Sequence, residues 1–177
     1  MHKYVQLGLL VSAYGKESNE MQKITPCMWF DDQAEEAVNF YISIFRDSKI
    51  LNVTRYGDAG PGPKGEVMYI MFQIEGQEFM ALNGGPHFSF TPAISFFVNC
   101  ETQEEVDELW EKLVDGGEEE QCGWLKDKYG VSWQIIPSGL VEMLYGEENE
   151  KSRRAMEAML QMQKIDIEEI RKAYERG

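Results

Sequence analysis

Histidine is almost missing from this chain: the 177 residues include two, His2 and His87. Two imidazoles leave little from which to build a three- or four-ligand metal site. Cysteine is also sparse, with Cys27, Cys100 and Cys122 and no C-x-x-C spacing. An odd, scattered set excludes a disulfide framework and a zinc ribbon, and fits a reducing cytoplasm. Basic residues are few, 17 against 31 acidic, for a net charge of −14. Such a surface repels phosphate backbones and anionic lipid, so neither nucleic acid nor a membrane is an expected partner. No apolar run approaches the roughly 20 residues of a membrane-spanning helix. With 43% hydrophobic residues, the chain can bury a core as one domain or two small modules.

Residues 1–21 read as an N-terminal extension. Val5 to Val11 is apolar but too short for a secretory core, and Met21 stands directly before the folded pattern. A paired domain is expected over 22–145. Ile24 to Phe30 predicts a strand, and Asp31 and Asp32 offer an N-cap. Ala34, Ala37, Val38, Tyr41, Ile44 and Phe45 have helical spacing. Strands follow over 50–56, 67–74 and 78–82, the last two as a hairpin through Glu75-Gly76-Gln77. The loop 57–65 is too rich in Gly and Pro for anything regular. After a polar turn from Asn83, Ala93 to Val98 predicts another strand. Thr102 and Glu105 form a capping box, and Val106, Leu109, Trp110, Leu113 and Val114 make a helix face. Glu118-Glu119-Glu120 reads as a solvated loop. Short strands are expected over 122–126 and 131–137, a helical turn over 140–145, and one long helix within a C-terminal segment, 146–177.

The pattern repeats. Ala34-Glu35-Glu36-Ala37 overlays Gln103-Glu104-Glu105-Val106, Cys27 overlays Ser95, and Gly76 overlays Gly130, which sets Met80 on Gln134. The prediction is an α+β fold of two βαβββ modules, 22–84 and 92–137, with a C-terminal helix. By strand alternation Thr25, Cys27 and Trp29 share a face, as do Ala93, Ser95 and Phe97, and also Ser132, Gln134 and Ile136. If these faces line one cavity, it suits a small, largely apolar ligand held by a few hydrogen bonds. Ordinary sheet core is the alternative. Asn83 fits either a turn-former or a ligand contact. His87 and Cys122 are the candidate catalytic residues, although no carboxylate stands near His87 in sequence and Cys122 needs a base to form a thiolate.

Trp29-Phe30-Asp31, Glu36-Ala37, Phe40-Tyr41, the run Asn83 to Phe88, Cys122-Gly123-Trp124, Gly130 to Gln134 and the tail Met162 to Ile167 together resemble the PhnB-like group of the vicinal oxygen chelate superfamily. Its members often carry the label 3-demethylubiquinone-9 3-methyltransferase. The resemblance implies curved, open sheets around a cavity, and a homodimer. In metal-using members the ligands stand on the first and last strand of each module. Those places correspond here to Thr25, Met80, Ala93 and Gln134, of which only Gln134 suits that pattern, so no metal and no cofactor is expected. The prolines of Gly60-Pro61-Gly62-Pro63 do not suit an adenosyl cradle. The expectation is a metal-independent small-molecule-binding protein; the alternative is an enzyme acting on a small apolar or quinone-like substrate.

Overall fold

The structure, a computed structural model, describes residues 22–147 and 149–176; the expected N-terminal extension lies outside them. The first module runs β1 (Cys27–Phe30), α1 (Ala34–Ile44), β2 (Lys49–Arg55), β3 (Val67–Ile74) and β4 (Gln77–Asn83). The second runs β5 (Ser95–Cys100), α2 (Gln103–Val114), β6 (Glu118–Glu119), β7 (Trp124–Lys126) and β8 (Ser132–Pro137). Each makes a four-stranded sheet, sheet A in the order β1-β4-β3-β2 and sheet B in the order β5-β8-β7-β6. In both, the first strand lies parallel to the last and the other neighbours are antiparallel. This is the expected α+β fold of two βαβββ modules.

Local chemistry explains most boundaries and corrects a few expectations. α2 begins as predicted, with the Thr102 hydroxyl accepting from Glu105 N at 3.2 Å. The Glu105 carboxylate does not return to Thr102 N as a full box requires but accepts from Glu101 N, one residue earlier, at 2.6 Å. α1 is not capped by Asp31 or Asp32. Its N-cap is Gln33, whose side chain makes no cap bond. The first amide, Ala34 N, donates instead to Oδ1 of distant Asn83, at 2.8 Å. The acidic run is not a free loop, because Glu118 and Glu119 form β6 and Glu119 accepts from Trp110 Nε1 at 3.1 Å. The repeat is also offset by two residues from its sequence overlay. Cys27 pairs with Met80 and Phe97 with Gln134, so matching the last strands sets Cys27 on Phe97, not on Ser95. An even shift leaves every side chain on its predicted face.

The two sheets share one core. Met28, Phe30, Ile70, Phe72, Phe79 and Ala81 of sheet A belong to the same buried cluster as Leu125, Trp133 and Ile135 of sheet B, together with the apolar stripes of α1 and α2. Phe79 meets Phe96 edge-on at 5.2 Å between centroids, and Tyr41 of α1 packs on Trp133 at 5.5 Å. Fully burying a side chain of this size stabilises by about 2 kcal/mol or more.

Asp127 stands at this joint, 2% exposed. Its Oδ2 accepts from Tyr41 Oη at 2.8 Å and Trp133 Nε1 at 2.9 Å, and its Oδ1 accepts from the amides of Tyr129 and Val131. Burial holds the carboxyl above its ordinary value, against the pull of those bonds. Burial, then the Asp127 charge, push the Tyr41 phenol well above its own. One carboxylate thus satisfies a turn and ties a helix of the first module to a strand of the second.

The C-terminal segment is not one long helix. α3 (Leu140–Tyr145), α4 (Glu150–Met159) and α5 (Ile167–Glu175) pack over Ile136 as a second cluster. Between α4 and α5 the chain turns aside so that the carbonyls of Met162 and Gln163 accept from Cys122 N and Gly123 N, at 2.8 and 2.7 Å. Asp166 then caps α5, accepting from the amides of Glu168 and Glu169.

Candidate functional site

Alternation leaves each sheet one face turned away from the shared core. On sheet A the register sets Cys27 beside Met80, and Met80 beside Met71. The next row is Trp29, Leu82, Tyr69 and Thr54. On sheet B Ser95 lies beside Ser132, and Phe97 beside Gln134, which pairs with Trp124. The two faces back onto the same core, so within one chain they do not look at each other. Between the sheets, α1, α2 and the aromatic contacts belong to that one core. A cleft of ≈ 760 Å³ does lie between α1 and α2, lined by Phe40, Ile44, Trp110 and Val114 among others. None of the expected site residues lines it.

The open face of sheet A is aromatic at one end. Trp29 donates from Nε1 to the Gly85 carbonyl at 2.9 Å, and Phe88 meets it edge-on at 5.0 Å. Gly84 lies against the indole: a Cβ there would fall 2.2 Å from the ring. The turn 84–88 is thus folded around Trp29. Cys27 is exposed as a residue, but its sulfur is partly desolvated, which raises the thiol above its ordinary value. Asn83 is structural. While Oδ1 caps α1, Nδ2 donates to the Val67 carbonyl at 3.1 Å. Thr25 lies ahead of β1, and Ala93 is exposed ahead of β5.

The open face of sheet B carries the polar groups. Gln134 donates to Ser95 Oγ at 2.9 Å, which orients its amide and leaves Oε1 as an acceptor. Phe97 beside it is 48% exposed. Ser132 is buried, and its hydroxyl has no partner among the described residues. A buried, unpaired hydroxyl in the row next to a held amide marks this end of the face as polar.

The two catalytic candidates are not brought together by any bond. His87 is exposed, and its backbone N donates to the Gly85 carbonyl. Among the described residues no side chain is bonded to its ring. Cys122 has φ 61° and sits where the C-terminal segment docks, its thiol donating to the Met159 carbonyl at 3.8 Å. Sequence reasoning missed Asp127, whose partners include a residue 86 positions away. The only local signal was the Asp127-x-x-Gly130 turn, which sets its amide bonds but not its tie to α1.

Comparison with known proteins places the chain. The PhnB protein from Bacillus cereus is 43% identical to it, with a TM-score of 0.62, over 66% of this chain and 100% of that one. Residues 22–136 match the family model described as 3-demethylubiquinone-9 3-methyltransferase. The chain belongs to this PhnB-like family. A protein from Pseudomonas aeruginosa is 20% identical with a TM-score of 0.56, over 66% of this chain and 97% of its own. The fosfomycin resistance protein FosX from Listeria monocytogenes is 16% identical with a TM-score of 0.51, over 71% of this chain and 98% of its own. These two show the shared fold. No curated protein matches the chain.

Two groups that the PhnB-like family and its fold suggest can be tested against the residues present. A hard or borderline divalent metal does not fit. Its positions correspond to Thr25, Met80, Ala93 and Gln134, and among the described residues no three His, Cys, Asp or Glu side chains converge. A methyl donor does not fit the glycine-rich loop either. Gly60 and Gly62 are pressed on the Tyr56 ring, where added Cβ atoms would come within 2.8 and 2.5 Å. Those glycines let the loop wrap a tyrosine and leave no cradle for an adenosyl group.

Proposed function

We propose that this PhnB-like chain binds a small, neutral, partly aromatic molecule as a homodimer, in a reducing compartment such as the cytoplasm and without a divalent metal. The observation that carries this reading is the pair of outward-facing sheet surfaces. One presents Trp29, Tyr69 and Met80, and the other presents Phe97 and a Gln134 amide held by Ser95. Half-exposed aromatic side chains on opposite sides of one core suit a second copy. Sheet A of one copy would then face sheet B of the other, with the ligand between an aromatic floor and a polar anchor. Among the described residues no helix is long and apolar enough to cross a membrane.

An enzymatic role on a quinone-like substrate has less support. His87 has no oriented partner, and the Cys122 thiol is engaged with a backbone carbonyl. The test is native mass spectrometry of untagged chain purified without chelator. The expected species is a dimer carrying an organic molecule that Gln134→Leu releases without splitting the dimer. A bare monomer, or a dimer with one divalent metal per chain, overturns the reading.

A further inference from the structure

One face of sheet A carries three sulfur-bearing side chains in a row. Cys27, Met80 and Met71 are successive register partners on β1, β4 and β3, so their side chains leave the same face in one row. Directly opposed Cβ atoms on neighbouring strands lie about 5 Å apart. Met80 stands in the middle, and unbranched thioether side chains can swing to converge on one point above it. The row is open to a solute: Cys27 is exposed, and Met71 and Met80 are half-buried. Trp29, one row along on the same face, shields one side.

We propose that this row binds a soft monovalent d10 cation, copper(I) or silver(I), through the Cys27 thiolate and the two thioethers. Thiolate and thioether ligands select such ions, whereas magnesium, calcium and manganese require oxygen. Binding is a substitution without redox change. One Cu–S(thiolate) bond forms, the thiol proton leaves to solvent, and two neutral sulfurs complete the coordination. The row shares Met80 and the sheet A face with the ligand-binding reading, but its copper(I) stoichiometry requires neither the organic ligand nor the dimer.

The test is an anaerobic titration of the full, reduced chain with copper(I) against a chromophoric copper(I) chelator. The wild-type chain should withdraw one copper(I) per chain. Cys27→Ser should abolish this, and Met80→Leu and Met71→Leu should each weaken it tenfold or more, while Cys122→Ser should leave it unchanged. The leucine substitutions nearly conserve volume at half-exposed positions, and unchanged circular dichroism separates lost binding from lost fold. Wild-type affinity in both leucine variants would reduce the site to a simple thiol adduct and overturn the proposal. So would a stoichiometry that follows Cys122.

Discussion

The two modules share one order of elements and use it differently. In the first, β2, β3 and β4 are 7, 8 and 7 residues long, and Met71 and Met80 on their outward face stay partly exposed. In the second, β6 and β7 are 2 and 3 residues long, and the C-terminal helices cover the far end of the face at Ile136. The first module offers sulfur and aromatic rings. The second offers a serine–glutamine pair and anchors the C-terminal segment. A repeated fold therefore need not repeat a site. The shared demand is the core between the sheets, and alternation leaves the outer faces free to diverge.

The comparison can be broken first at the joint. Asp127→Ala strands four donors, three of them buried, and should lower unfolding free energy by about 4 kcal/mol in urea denaturation. Asp127→Asn keeps one oxygen and should recover part of that. The pH dependence has a definite sign. The folded carboxyl is raised above its ordinary value of 3.8, so the folded chain binds this proton more readily than the unfolded one. Its contribution to stability is greatest below that value and falls as pH rises through the raised value. The asparagine variant should flatten that part of a stability–pH curve.

The second module can then be tested at its C-terminal dock. Gly123 has φ +82°, and an added Cβ would lie 2.8 Å from Ile136 Cδ1 and 3.0 Å from the Ile135 carbonyl. Gly123→Ala should cost about 3 kcal/mol and speed amide exchange in α4 and α5 before the rest of the chain. Gly130→Ala is the control, with φ +86° and nothing within 4 Å. It should cost about 1 kcal/mol, the left-handed penalty alone.

On the first module, Gly84→Ala pushes an added Cβ into the Trp29 indole. It should cost about 2 kcal/mol and shift the tryptophan emission. A smaller effect than this should come from Asn83→Ala. It removes the bonds to Ala34 N and the Val67 carbonyl, at about 1.5 kcal/mol by thermal denaturation. Asn83→Asp keeps the acceptor for α1 and should lose less. A cost near zero would return Asn83 to the role of ligand contact.

Much of this architecture was legible in residue order. The helix faces of α1 and α2, the hairpin at Gly76, the Thr102 cap and the alternation of the first and last strands are local, because neighbours along the chain create their signal. The roles of Asn83 and Asp127 were not legible. Asn83 satisfies a group 49 positions away and Asp127 one 86 positions away, and nothing nearby in sequence announces those partners. The break between α4 and α5 was half legible, since Asp166 before Glu168 and Glu169 is an N-cap pattern inside an otherwise helical stretch.

By itself, then, the sequence determined the elements, their faces and the two-module repeat, because 3.6- and 2-residue periods are properties of the local backbone. Tertiary structure decided which faces meet. The aromatic side chains and amphipathic helices of both modules bury most area by sharing one core, and that packing turns the polar and sulfur-bearing faces outward, away from each other.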